Sequence, residues 1–445
     1  MVKSLRETAL LTAILFISVA VSAQKANSFS VKQAVDYAMQ NSVQVKNALL
    51  DIMIQKQTNR EITSAAFPQL NGTGTINNYL DLPTNLVSAD FFGGPAGTFV
   101  PIQFGTKYNA NGSLDISQLL FDGQVFVGLQ ARASSIRFYE TKSEITKEQI
   151  NVNVQKIYYQ LLIGKQQMTS VDANIERFDK LLNDTREIFK NGFAEKLDVD
   201  KVSVQLNNLR TEKVKIQNQL NAGNIGLKFL LNMPQSETLV LTDSITEDDL
   251  KMNMLDSAYK YTDRKEYKLL QEAIKLGEYN VRRYKLSALP TVSAFGNYSK
   301  NAQRAKFDFL QSNGSWFTTS LVGLKVTVPI FNGFVKTAHI AKAKLELEKS
   351  KNNVEQLKAS IDNDVATTRL NITTALLTID NQKKNMQLAE QVYNSTKLKY
   401  EQGLGSNQEI YTAQTELKVA QNNFYSALYD AIIARIDYLK ASGKL

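Results

Sequence analysis

Two short glycine turns constrain this chain more than any other feature, because each ends a run of helical apolar spacing too long for a globular core. Phe189-Lys190-Asn191-Gly192-Phe193 is the first and Tyr400-Glu401-Gln402-Gly403-Leu404 the second. Each run opens just after another echoed pair, Phe121-Asp122-Gly123 and Phe331-Asn332-Gly333. From Gly123 to Gly192 is 69 positions, and from Gly333 to Gly403 is 70. Two segments of matching length, entered and left through the same kinds of residue, describe a duplicated helical hairpin. At about 1.5 Å per residue each arm rises by roughly 100 Å, so the chain builds something long.

The start of the chain reads as an address. Lys3 and Arg6 precede an apolar run from Thr8 to Val21, and Val21-Ser22-Ala23 places small residues at a cleavage site. Residues 1–23 are therefore expected to be a signal peptide. The apolar run is too short to serve as a spanning anchor, and no later stretch reaches 18 consecutive apolar residues. Export without a helical anchor leaves the periplasm, the outer membrane or the medium. The absence of Cys excludes disulfides, thiolate metal sites and an acylated N-terminal Cys, and a single His, His339, excludes multi-His metal sites. The net charge of +9 is spread along helical stretches with no dense cluster, which reads as solvated helix surface and not as a nucleic-acid site.

Taken in order, the mature part opens as a helix. Ser30 and Gln33 have capping-box spacing, and Val31, Ala34, Val35 and Ala38 begin an apolar face that continues through Leu49, Leu50 and Ile54 until Pro68. After Pro68 the period drops to two. Tyr108, Ala110, Gly112, Leu114 and Ile116 alternate with polar residues as a two-faced strand, and residues 70–80 read as a second strand. Residues 83–106 between them are a folded surface loop by composition. Along 124–190, Val154, Ile157, Leu161, Gly164, Met168, Val171, Ile175, Phe178, Leu182, Thr185 and Phe189 step by three and four as a coiled-coil-like seam. A return helix follows from Lys196 to Leu231, and residues 232–254 form a connection that includes a strand-like piece, residues 238–241.

The second half repeats this order. A helix at 255–287 precedes Pro290, which takes the place of Pro68. A strand follows with Val292, Ala294, Gly296 and Tyr298, then a polar loop at 301–314. A second strand carries Val322, Leu324, Val326, Val328 and Ile330. The second long helix, 334–400, keeps Val354, Leu357, Ile361, Val365, Ile372 and Ile379 in register, and a return helix covers 408–441. The chain thus divides into structural repeats at 24–231 and 255–445, each helix–strand–strand–long helix–helix. The expected class is mainly α with a membrane β-barrel.

Four amphipathic strands cannot close alone, since the smallest single-chain membrane barrels use about eight. An open sheet would leave two unpaired edges that hydrocarbon does not permit, so copies of the same chain must complete it. Tyr79, Tyr108, Phe295, Tyr298, Trp316 and Phe317 are candidate girdle aromatics. At this point the sequence resembles the TolC-like outer-membrane efflux protein family across essentially the whole mature chain. The residues that carry the resemblance are Phe29-Ser30-Val31-Lys32-Gln33-Ala34-Val35, Leu119-Leu120-Phe121-Asp122-Gly123, Val328-Pro329-Ile330-Phe331-Asn332-Gly333 and the two glycine turns. The resemblance implies a homotrimer whose chains each give four strands to a 12-stranded barrel in outer-membrane lipid, with an α-helical barrel projecting through the periplasm. It further implies an exit duct of a tripartite efflux or type I secretion system, joined by a periplasmic adaptor protein to an inner-membrane transporter. The alternative is a structural periplasmic coiled-coil or adhesin-like protein without a pore.

No catalytic constellation or phosphate loop is present, no cofactor or metal is expected, and the chain reads as a non-enzyme. His339 beside Ala338 and Ile340 reads as a surface or packing residue. The carboxylate pairs Asp248-Asp249 and Asp362 with Asp364 read as solvated. The informative polar residues flank the turns. By resemblance, Asp198 and Tyr400 match tip-gating positions, and Gly405 stands where some relatives carry a basic latch. Glu409 matches an acidic pore constriction, with Thr412 one turn later where some relatives carry a second acid. Gly192, Phe193, Gly403 and Leu404 are the expected adaptor-binding turns.

Overall fold

The computed structural model describes residues 27–245, 258–309, 311 and 314–445. The signal-peptide reading and the Asp248-Asp249 pair lie outside the described residues, as does Leu255. Among the described residues, the helix expected over 255–287 begins only at Lys265, because 258–264 hold no α-helix and make a 3-10 turn at Tyr261–Asp263. In chain order the elements are β1 (Asn27–Phe29), α1 (Val31–Asn41), α2 (Val43–Ser64), β2 (Gln69–Asn78), β3 (Thr84–Ser88), β4 (Phe99–Gln103) and β5 (Tyr108–Phe121). Then come α3 (Gly123–Lys190), α4 (Lys196–Leu231), β6 (Leu239–Leu241), α5 (Lys265–Leu286), β7 (Thr291–Arg304), β8 (Phe317–Thr327), α6 (Val335–Glu401) and α7 (Asn407–Ala441). The order α2-β2-β5-α3-α4 recurs as α5-β7-β8-α6-α7. The chain forms two compact units, and each draws on both halves of the sequence. One takes the segments up to Ile52, Tyr139–Leu270 and Asn353–Leu445; the other takes Met53–Phe138 and Gln271–Asn352.

The second unit holds an antiparallel sheet of order β2-β5-β7-β8, so β2 and β8 are open edges. The register separates two faces. Leu70 lies opposite Ile116, Leu114 opposite Tyr298, and Ala294 opposite Leu324, which makes one face apolar. The other face carries a polar row. The Thr73 and Ser113 hydroxyls are 2.7 Å apart, Ser113 donates to Asp115 at 3.0 Å, and Asn297 donates to Asp115 at 2.7 Å. Phe295 and Phe317 register on this polar face, which removes them from the expected aromatic girdle.

Several expectations about element limits change. The single helix expected up to Pro68 opens with the expected capping box, Ser30 Oγ accepting from Gln33 N–H and Gln33 Oε1 accepting from Ser30 N–H. It breaks at Ser42, whose ψ of 131° is extended. Asn41 beside it turns its side chain onto the Tyr37 carbonyl, a local bond that competes with helix propagation. The last strand starts earlier than its apolar alternation, at Phe317, and stops at Thr327, short of Val328 and Ile330, because Pro329 lacks an amide N–H for the ladder. β7 continues to Arg304 through residues expected to be loop, since β5 offers partners as far as Tyr108. The expected surface loop, 83–106, contains the two-stranded ribbon β3–β4.

The first unit is helical. Val154, Leu161, Val171, Phe178, Leu182 and Thr185 of the α3 seam are buried, as are Val354, Ile361, Val365 and Ile372 of α6. Phe189, in the last turn of α3, is exposed. α4 packs closely on α3 at Gly164, where a Cβ would meet the Leu220 side chain at 2.8 Å. One cluster joins Tyr158, Leu161, Leu227, Leu231, Ile432 and Ile436. A parallel β1–β6 pair lies beside it. Fully buried Tyr158 locks that pair to α3 by donating to the Phe29 carbonyl at 2.8 Å and accepting from Asp243 N–H at 3.4 Å.

Burial, opposed by the Asp243 amide and assisted by the Asp243 charge, pushes the Tyr158 phenol up from 10.0 to about 12. A phenol whose pKa is higher in the folded state contributes stability that is complete below the unfolded value and lost as pH rises through the folded one. The β1–β6 region should therefore loosen between about pH 10 and 12. Tyr158→Phe should remove that step and start less protected at neutral pH, as read by amide exchange across 27–31 and 239–243.

Candidate functional site

Both glycine turns end their helices in the same way. Gly192 and Gly403 take positive φ, 81° and 72°. Gly192 N–H donates to Phe189 O at 2.9 Å and Phe193 N–H to Ile188 O at 3.0 Å; Gly403 N–H donates to Tyr400 O at 3.0 Å and Leu404 N–H to Lys399 O at 2.9 Å. This closure satisfies the terminal carbonyls, and an L-residue at the glycine would be strained. The residue after such a glycine commonly packs back onto its helix. Here Phe193 is 87% exposed and Leu404 72% exposed, so both side chains stand free of the chain.

Below the turns, α3, α4, α6 and α7 share one apolar cluster that includes Phe178, Leu182, Val202, Leu206, Tyr393 and Ile410. Thr185 donates to Asn407 at 2.9 Å, and Lys180 meets Glu401 at 3.7 Å. These contacts bring the residues beside the two turns into one group. Asp198 and Glu409 hold equivalent places, the third residue of α4 and of α7. Asp198 accepts from the Glu195 amide at 3.4 Å, while the Glu409 amide donates to Ser406 Oγ at 3.2 Å. A carboxylate in the first turn also meets the positive end of the helix dipole, so each acid stabilises its own helix start.

The expected gate residues are placed as follows. Asp198 faces Lys201 at 3.9 Å and is not joined to Tyr400. The Tyr400 hydroxyl is buried with no partner in hydrogen-bond geometry, although Thr185 is its polar neighbour. Burial and then the Asp184 charge push its phenol above the ordinary value. Gly405 N–H donates to Lys399 O at 3.1 Å, which tightens the second turn. Glu409 and Thr412 line an open groove of about 410 Å³ between α6 and α7, together with Ser395, Thr396, Lys399 and Glu416. Lys399 reaches Glu409 at 3.4 Å, both side chains being about half exposed. Thr412 bonds only along its own helix, to the Gln408 carbonyl at 2.8 Å and from the Gln408 amide at 3.3 Å.

Sequence reasoning missed Lys399 and Glu416. Lys399 comes ten positions before Glu409 on the other arm of the hairpin, so only the folded turn reveals the pair. Glu416 was detectable as two turns beyond Glu409 on one helix face. Asp362 is exposed, as expected, and also accepts from Tyr259 at 2.6 Å and from Tyr261 at 3.0 Å. The bond to Asp362, then burial, raises the Tyr259 phenol to about 12. His339 stacks on Tyr284 with ring centroids 5.0 Å apart, a packing role. Among the described residues no helix is long and apolar enough to cross a membrane.

Residues 271–444 match the model of a family described as outer membrane efflux protein. The chain is 20% identical over 337 residues to Outer membrane protein TolC of Vibrio cholerae serotype O1, covering 75% of this chain and 76% of that protein. It is 18% identical over 330 residues to Alkaline protease secretion protein AprF of Pseudomonas aeruginosa, covering 72% and 67%. Among solved structures, CusC superposes with a TM-score of 0.74 at 17% identity, over 93% of this chain and 91% of that one. At that identity the superposition establishes the fold.

Proposed function

We propose, taking the chain as a member of the TolC-like outer-membrane efflux protein family, that it is the outer-membrane exit duct of a tripartite efflux or type I secretion system. It conducts passively what an inner-membrane transporter delivers through a periplasmic adaptor protein. The observation that carries this reading is the antiparallel sheet with one apolar face, one polar face and two open edges. Hydrocarbon excludes open edges, so β2 of one copy pairs with β8 of the next. Three copies then close a 12-stranded barrel, an even number within the range of membrane barrels, carried on an α-helical barrel. The row Leu70, Leu114, Tyr298 and Val322 would meet lipid, and the row around Thr73, Ser113, Asp115 and Asn297 would line water.

The bare side chains of Phe193 and Leu404 suit the adaptor-binding role, because an exposed apolar residue on a rigid turn offers a partner helix an anchor. Asp198, Tyr400 and Gly405 lie beside those turns as tip-gating residues. Tyr400 buries its hydroxyl beside Thr185 within its own chain, so its opening would have to move the turn. Glu409, with Thr412 one turn on, forms the pore constriction, and a ring of three carboxylates in a narrow throat focuses field and favours cations. Lys399 offsets part of that charge in each copy.

Assembly and conduction are tested together. The purified protein should have the mass of a trimer in mild detergent and should conduct in planar bilayers. A stable folded monomer would sink the barrel, and a trimer without conductance would leave a structural coiled-coil or adhesin-like protein.

Phe193→Asp combined with Leu404→Asp should abolish transport and adaptor crosslinking while the trimer stays in the outer membrane. Transport that persists would make the turns helix stops only.

Glu409→Gln should weaken cation selectivity and block by divalent cations, whereas Lys399→Gln should strengthen both, with trimer stability nearly unchanged. Reversal potentials in asymmetric salt measure this. Equal selectivity in all three proteins would place Glu409 off the pore.

A further inference from the structure

The first repeat carries a feature that the second lacks among the described residues. Between β2 and β5 the chain makes the β3–β4 ribbon, which pairs only with itself and lies outside the four-stranded sheet. A lone two-stranded ribbon is marginal in water unless something covers it. Its register puts Val87, Val100 and Ile102 on one face, which is half-buried. The opposite face carries Leu86, Phe99 and Pro101, and it is bare: Leu86 is 70% exposed and Phe99 64% exposed. At the ribbon tip Phe91 is 82% exposed and Phe92 is exposed as well.

We infer that this ribbon is an intersubunit clasp whose bare face packs against the aromatic loop between β7 and β8 of the next copy. The inference rests on the trimeric barrel proposed above. When β2 pairs antiparallel with the next copy's β8, the Asn78 end of β2 comes beside the Phe317 end of β8. The ribbon leaves from the first of these ends, and the β7–β8 loop arrives at the second, so both lie on one rim. That loop presents its own aromatic cluster. Phe307 and Phe309 have ring centroids 5.5 Å apart, Phe309 and Trp316 6.4 Å, and Phe307 and Trp316 keep exposed surface.

Charge decides between a second copy and lipid as the cover. The connection from β2 to β5, residues 79–107, carries Asp81 and Asp90, with a single base, Lys107, at its far end over the Tyr108 ring. The facing loop carries exposed Lys306, while Arg304 is held by Asp308 at 3.3 Å. An acidic segment is repelled by anionic headgroups, which attract basic ones. It is attracted by the neighbour's Lys306.

The chain has no Cys, so single cysteines report without background. Two differently tagged chains, one with Phe91→Cys and one with Trp316→Cys, would be co-expressed and treated in membranes with a short bismaleimide. A second pair on the polar face of both strands, Thr75→Cys with Thr319→Cys, monitors the β2–β8 edge itself. The expected result is a mixed-tag dimer band from both pairs, with loss of the first band alone when Phe92→Asp is added to the Phe91→Cys chain. Linkage at the edge without linkage at the ribbon would overturn the clasp and leave the trimer standing. Linkage at neither would overturn both. A fluorophore on Phe91→Cys quenched by brominated lipid vesicles would assign the ribbon to the membrane and also overturn the clasp.

Discussion

Backbone amides that enter hydrocarbon need partners, and the outer rows of β2 and β8 have none within one chain. That requirement gives the proposed assembly its shape. It sets the neighbour relation and the direction in which copies meet, and it does so without any particular side chain. Side chains then orient the sheet. Because pleating alternates faces, the row through Leu114 and Tyr298 and the row through Asp115 and Asn297 cannot share an environment. Asp115 accepts from both Ser113 and Asn297, so the polar face is satisfied within the sheet and tolerates water beside it.

The helical unit meets a different demand with the same economy of means. Long helices need a continuous seam, and the steps of three and four along α3 and α6 supply it. Each arm must also stop and reverse without leaving carbonyls open. The two glycine closures do this, and Phe193 and Leu404 just after them stay exposed. Asp198 and Glu409 stabilise the helix starts that follow. In the proposed duct these four residues serve both the turn and the function, so stability and transport would have to be measured separately in any variant.

Several features were legible because they are local and periodic. The capping box at Ser30, the seam positions, the glycine turns and the return helices all follow from spacing along the chain. The boundaries that moved did so where pairing overrode composition. Asn301 and Gln303 look like loop residues, yet β5 holds them in the ladder. The clean alternation at Val328 and Ile330 fails because Pro329 cannot donate. Ser42 breaks a run whose apolar face gives no warning of it.

By itself the sequence determined the duplicated order of elements, the places where helices end, and the two unlike faces of each strand. These depend on neighbours within a few residues, which the chain carries with it wherever it folds. Only the tertiary structure decided the sheet order β2-β5-β7-β8, the Lys399–Glu409 pair across the hairpin, the bond from Tyr259 to Asp362 and the solitary β3–β4 ribbon. Each of these joins residues through space, where register and turn geometry set the distance and linear spacing says nothing about it.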